Sequence, residues 1–277
     1  MFADAPLAAR IDRSEARLCA DIAASVQAKH PESAPFVLPI SGGLAVYAGR
    51  ASPTNKVIGL GFDGPLDLDA LQTIEARWRE RNEPVRIELS ILADATIAPA
   101  LSERGYRLHG FENVLARRVT PDHSAMAAGV TVETLRDEDL PAWIDIAVNA
   151  FKNLDGTGSV ADDAMPREEL ERVLRDFGEV PGFTRYLARI DGQPVGEAAL
   201  RIDGDLAQVA GAGTLPAFRG RGVQKALLQQ RLADARAAGC DLAVVTTAPG
   251  TRSQDNVMRR GFVLLYTRAV LLKRWDG

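Results

Sequence analysis

The sequence predicts an α/β fold in which one unit is built twice. Three observations carry this. Helix-period and strand-period segments alternate along the 277 residues. The order of segments begins again after a polar connection ending at Gly129. Finally, the two halves slide onto each other without a gap at a shift of 156 residues. At that shift Phe62 falls on Phe218, Gly64 on Gly220, Ala70 on Ala226 and Leu71 on Leu227. Arg104–Gly105 falls on Arg260–Gly261, and Val114–Leu115 on Val270–Leu271. Sparse identities at one shared offset, in matched element order, point to a duplicated unit. The length agrees, since a domain commonly takes ~100–200 residues.

In chain order, residues 13–29 carry apolar positions at helical spacing, with Ser14 as the expected N-cap. Residues 36–49 read as strand, turn and strand around Gly42 and Gly43, and 55–62 as a further strand. Residues 66–82 are helical and open with Asp67 and Asp69, carboxylates placed favourably for the positive end of a helix. A strand at 85–92, a short helix ending at Gly105 and a closing strand pair over 106–119 complete the first half. The expected domains are 1–120 and 130–277, joined by a linker at 121–129.

The second half opens with a strand at 130–136 and a helix over 137–151 capped by Asp137. After a polar stretch and a helix at 167–177, residues 183–215 form three strands separated by Asp-Gly turns at 191–192 and 203–204. A helix runs to Ala238, followed by a strand at 241–248, a short helix at 253–261 and a final strand at 262–275.

Composition narrows the function. Hydrophobic residues make up 46% and charged residues 25%, ordinary for a globular chain. With a net charge of −4 and a pI near 5.5, nothing global suits nucleic acid or anionic lipid, so a phosphate-bearing partner must meet a local basic patch. Cys19 and Cys240 stand far apart, and His30, His109 and His123 are dispersed, so neither a disulfide framework nor a metal site is expected. No stretch resembles a signal peptide or a membrane span, and a cytoplasmic protein is expected.

The local basic patch is at residues 216–228, PAFRGRGVQKALL. Arg219, Gly220, Arg221 and Gly222 stand just before a helix, followed by Lys225. A helix N-terminus offers unpaired N–H groups and a positive dipole end, glycine allows close approach, and arginine adds charge-assisted bonds, so the stretch suits phosphate. The first half supplies a contrast, because Asp63, Pro65, Leu66 and Asp69 occupy the positions of Arg219, Arg221, Gly222 and Lys225.

GTLPAFRGRGVQKALL resembles the acyl-CoA-binding motif of GNAT-family (GCN5-related) N-acetyltransferases, with the pattern Arg/Gln-x-x-Gly-x-Gly/Ala, and SQDNVMRRGF resembles that family's later Asn-helix-Gly-Phe segment. Gln224 departs from the usual Gly or Ala. The resemblance spans most of 130–277 and implies two tandem GNAT-like acyl-CoA N-acyltransferase domains, the first a degenerate copy without a pyrophosphate loop. It implies an α+β arrangement around a mixed sheet, splayed between strands near 206–215 and 241–247, with the pantetheine arm of acetyl-CoA in the gap. The backbone of Thr214 and Leu215 would face that arm. The backbone from Arg219 through Gly220, Arg221, Gly222, Val223, Gln224 and Lys225 to Ala226 would hold the pyrophosphate. Asn256, with Ser253 as a weaker candidate, would bond the cofactor arm, unless Asn256 is an ordinary surface or capping residue.

Family chemistry implies direct attack of an amine on the thioester, which needs a base and an acid. The helix before Gly-Phe lacks the tyrosine many members use as acid. Tyr266 is then either the acid or a packed strand residue. Glu197 is either the base or a solvent-facing carboxylate on a one-sided sheet. Cys240 is expected in the core, and Trp143 and Phe151 on a helix's apolar face. Asp155, Asp162 and Asp163 lie in an acidic stretch that either attracts a cationic amine or is a solvated loop. The expected function is transfer of acetyl from acetyl-CoA to a primary amine on a small molecule or peptide. The alternative is a non-catalytic CoA-binding module, and a nucleic-acid-binding module ranks third. A homodimer through segments such as 111–119 stays open, as do the acceptor and the use of the first domain.

Overall fold

The computed structural model describes residues 2–121, 127–152 and 167–275. They divide into two compact units, Met1–Val114 with Leu264–Gly277, and Leu115–Val263.

In the first unit, helix α1 (Ala5–Lys29) is followed by strands β1 (Phe36–Ile40), β2 (Gly43–Tyr47) and β3 (Lys56–Ile58). Helix α2 (Leu68–Arg79), strand β4 (Val85–Ser90), helix α3 (Ile97–Glu103) and strand β5 (Arg107–Arg118) follow. The last strand of the chain, β11 (Val263–Lys273), joins this unit from Leu264 onward, giving the order β1-β2-β3-β4-β11-β5. Strands β3 and β4 are parallel, while β1–β2, β2–β3 and β4–β11 are antiparallel. Trp78, Ile74 and Leu71 of α2 fill the core on the sheet, as the apolar spacing of that helix requires.

In the second unit, β5 continues from Leu115, and β6 (Thr131–Thr134), α4 (Leu140–Lys152) and α5 (Arg167–Phe177) follow. Strands β7 (Phe183–Ile190), β8 (Gln193–Asp203) and β9 (Leu206–Thr214) form an antiparallel meander with β6. Asp191 and Gly192 at positive φ make the first tight turn. Helix α6 (Val223–Ala237), strand β10 (Leu242–Thr247) and helix α7 (Arg252–Met258) complete the order β5-β10-β9-β8-β7-β6. Helix α6 packs Val223, Ala226, Leu227 and Ala235 into the core, together with Cys240. Gly196 of β8 permits this close approach, since a Cβ there would meet Val223 Cγ1 at 2.4 Å. The shift of 156 residues carries α2, β4, α3 and β5 onto α6, β10, α7 and β11 to within two residues at each end.

Several expectations are corrected. Ser14 does not cap α1; it is buried inside the helix, which begins nine residues earlier, where Asp4 accepts from Leu7 N at 2.9 Å. Residues 107–118 form one strand and not a pair, and Asp137 opens a short 3-10 turn ahead of α4. The compact units also depart from the expected boundaries at both ends. Residues 115–120 fall with the second unit, and 264–275 with the first. The cause of the latter is the pairing of Arg268–Lys273 with β4 and the burial of Arg268 against Asp12 and Glu15 of α1.

Candidate active site

The two helix starts at the compared positions differ in how their free N–H groups are used. In the first unit, Asp67 caps α2, its Oδ1 accepting from Asp69 N (3.1 Å) and Ala70 N (2.9 Å). Asp63, at the position of Arg219, accepts from Arg13 Nη2 of α1 at 2.5 Å. That start is closed by its own side chains. In the second unit, α6 begins at Gly222, a left-handed residue (φ 84°) that supplies no side-chain cap. Only glycine takes that conformation freely. The N–H groups of Val223, Gln224 and Lys225 have no intrahelical acceptor, and Arg221 is exposed with its guanidinium 5.4 Å from the Phe218 ring centroid. A Cβ on Gly220 would meet nothing within 4 Å, so the loop has open space beside it. Two expected donors are taken: Ala226 N–H bonds Gly222 O (3.0 Å) and Arg219 N–H bonds Pro216 O (3.3 Å).

Upstream of this loop, β9 leaves β10. The parallel register joins Leu206–Gln208 to Leu242–Val244 and goes no further, while β8 stays paired with β9 up to Thr214. Just beyond the last of these pairs β9 carries a bulge: Ala199 pairs with Ala210 and Ala198 with Ala212, leaving Gly211 extra at φ 45°. Gly211 and Ala212 are exposed. Leu215 is less available than the sequence suggested. Its N–H donates to Val195 O and its carbonyl accepts from Phe218 N, both at 2.9 Å. Strand alternation turns the neighbouring Thr214 N–H to the opposite edge, the one β10 has left. The Thr214 hydroxyl accepts from Gln224 Nε2 at 2.9 Å, so the residue that departs from the motif ties the start of α6 to the end of β9.

Glu197 lies opposite Gly213 on β8 and is 3% exposed, which removes the solvent-facing reading. Burial raises its carboxyl to about 7, opposed by the positive charge of Arg231 and by a hydrogen bond from the Gly213 backbone. Arg231 is buried too, and burial lowers it to about 10 against the attraction of Glu197. Both groups move toward neutrality, so desolvation outweighs their attraction. Gly213 is required beside Glu197, because a Cβ there would stand 2.7 Å from Glu197 Oε1 and 2.5 Å from Ala150 Cβ of α4. A carboxyl poised near neutrality can accept a proton from an ammonium.

The remaining expected residues scatter. Tyr266 is in the first unit, where its hydroxyl donates to Asp12 Oδ1 at 2.5 Å beside Arg268, and burial raises it far above the usual phenol range. Its geometry is that of a packed strand residue with a fixed partner. Asn256 is half-buried on α7, and Ser253 is exposed one turn earlier. Trp143 is buried and donates to Tyr186 O at 3.1 Å, as a core residue. The side chain of Phe151 and residues Asp155, Asp162 and Asp163 lie outside the described residues. Arg231, Gly211 and Gly213 were missed. Arg231 left a signal, because with Leu227 and Ala235 it forms a four-residue spacing that puts a charge on the apolar face of α6.

A mixed sheet that opens between two parallel strands above an uncapped, glycine-led helix defines an acyl-CoA N-acyltransferase type of fold. Residues 140–262 match the family model for the acetyltransferase (GNAT) family. The fold as a whole is similar to that of a GCN5-related N-acetyltransferase from Kribbella flavida, at 23% identity and a TM-score of 0.64 over 98% of this chain and 96% of that one. It is also similar to a tandem GNAT protein from the clavulanic acid biosynthesis pathway (without AcCoA), at 12% identity and a TM-score of 0.59 over 85% and 79% of the two chains. A GCN5-related N-acetyltransferase from Sphaerobacter thermophilus matches at 18% identity and a TM-score of 0.56, over 74% and 66%. Comparison with curated protein sequences gives no significant match. The match of residues 140–262 to this family supports acyl transfer as the general chemistry. Among the described residues no helix is long and apolar enough to cross a membrane.

Proposed function

We propose that the second unit is an acetyl-CoA-dependent N-acetyltransferase acting on a primary amine, and that the first unit is a degenerate copy that binds no CoA. The observation that carries this reading is the contrast between the two helix starts. Asp67 and the Asp63–Arg13 pair close α2, whereas α6 is left open behind Gly222 with Arg221 and Lys225 beside it. The residues present fit the cofactor. Backbone N–H groups of Gly220 to Lys225 and the Arg221 side chain would hold the pyrophosphate. The Thr214 backbone and Asn256 would hold the pantetheine arm. Acetyl-CoA supplies the activated thioester. Glu197 takes the proton from the ammonium form of the amine, and its carboxyl near 7 leaves a large ionised fraction at neutral pH. The acid for the departing thiolate is left unassigned, because Tyr266 is bound to Asp12 in the first unit.

Incubation with acetyl-CoA and a panel of primary amines, followed by thiol release, tests the reading. Wild type is expected to turn over at least one amine and Glu197→Gln to lose about 10²-fold or more in kcat. Turnover independent of Glu197 would remove its role. CoA binding without turnover of any amine would favour a binding module, the reading suggested by the missing tyrosine in α7.

A further inference from the structure

The bulge that opens β9 is braced by one side chain. Arg231 of α6 is 3% exposed, and its Nη1 donates to the carbonyls of Ala199 (3.2 Å), Ala210 (3.3 Å) and Gly211 (3.2 Å), with Nε on Leu227 O (3.1 Å). Ala199 and Ala210 are the last regular pair before the bulge, and Gly211 is the extra residue itself. Three strand carbonyls thus converge on one guanidinium. Ala199 is two residues along β8 from Glu197, and Gly211 is two along β9 from Gly213, whose backbone bonds Glu197.

We propose that Arg231 is a positioning residue for the acyl-transfer site: it holds the Gly211 bulge that turns the edge of β9 out for the cofactor arm, and its charge acts on the Glu197 carboxyl. The inference deepens the acetyltransferase reading and rests on it for the second half only. Without the guanidinium, the carbonyls of Ala199, Ala210 and Gly211 would lose the one donor they share, at a cost that favours a straightened or wetted strand. A flat strand would bring Ala212 and Thr214 back toward β10 and take up the edge the cofactor arm needs.

The surrounding charges leave Arg231 as the cation that acts on Glu197. From β7, Tyr186 donates to Asp234 of α6 at 2.7 Å, and from β8, Arg201 donates to Gln208 of β9 at 3.1 Å. Helix α4 brings Ala150 against Gly213, and its Asp145 is paired with Arg167. Burial raises Glu197 while Arg231 holds it down, so removing the cation must raise it further.

The test compares wild type, Arg231→Met and Arg231→Lys in the full chain by amide hydrogen exchange without ligand, calorimetry with acetyl-CoA, and the pH profile of kcat/KM. In Arg231→Met the amides of Ala210–Thr214 are expected to exchange at least about tenfold faster. Acetyl-CoA should bind about tenfold more weakly. The acid limb, near 7 in wild type, should move up by about one pH unit. Arg231→Lys should return the limb to its wild-type position, a rescue that filling space alone would not give. Unchanged exchange at those amides together with an unmoved limb in Arg231→Met would overturn the proposal. If Arg231→Met does not fold, Arg231→Lys decides on exchange: faster at the bulge supports the brace, wild-type rates overturn it. A wild type that neither binds acetyl-CoA nor acetylates an amine would sink the acetyltransferase reading, while the ligand-free exchange comparison would still decide the brace.

Discussion

Glu197 concentrates the residue-scale argument. A carboxyl raised to about 7 in the folded chain, against an ordinary value of 4.5, binds its proton more tightly folded than unfolded. It therefore contributes stability that is complete below pH 4.5 and is lost as pH rises through about 7. The total is about 3 kcal/mol, since each pH unit corresponds to about 1.4 kcal/mol. Glu197→Gln, which mimics the protonated form, should remove this slope. Its denaturant-melt stability relative to wild type is expected to improve between about pH 4.5 and 7 and to level off above that, while activity falls. Parallel pH dependence in the two proteins would contradict the burial argument. The sequence showed Glu197 as an odd carboxylate among small apolar residues, but not which way it faced. Strand alternation gives a face, and only the packing of α6 and α4 makes both faces buried. Arg231 was overlooked for a related reason, because its partners are backbone carbonyls that carry no sequence signal.

At the element scale, the decisive difference lies in the first turns of α2 and α6. Asp67→Ala should destabilise the chain by about 1 kcal/mol through loss of the cap, without changing acetyl-CoA affinity. Weaker binding in that variant would place the cofactor at the wrong helix. Gly196→Ala should act at the other helix, since its Cβ would press on Val223 in the first turn of α6. Overpacking there is expected to cost about 1–3 kcal/mol and to weaken acetyl-CoA binding, measured by melting and by titration. Most elements were legible, because their apolar periods, Asp-Gly turns and the Asp67 cap are local signals. The bulge at Gly211 was not, since it depends on what lies across the strand. The start of α1 was misplaced because Asp4 and Pro6 give an earlier start signal than Ser14 does.

The whole molecule is organised by strand pairing that chain order does not reveal. The 156-residue shift made a repeated plan legible, yet it placed the last strand with the second domain, whereas residues 264–275 lie in the first unit. Arg268 of that strand is fully buried and bonds Asp12 and Glu15 of α1, each at 2.6 Å, while Lys56 bonds Glu15 (2.6 Å) and Glu88 (2.9 Å). Arg86 adds Glu88 and Glu112 to the same network, and burial pushes Glu112 up to about 7. Arg268→Met would leave buried carboxylates without their cation. The expected loss is about 3–5 kcal/mol, read as early unfolding of the first unit in a denaturant melt. A change below 1 kcal/mol would show that the network does not hold β11 in place.

The central claim is that the open start of α6 binds the phosphates of acetyl-CoA. Calorimetric titration of acetyl-CoA into wild type and Arg221→Glu tests it most directly. The account predicts saturable binding in the micromolar range, about −8 kcal/mol, that the substitution abolishes. Equal binding by both proteins, or none by wild type, would contradict it.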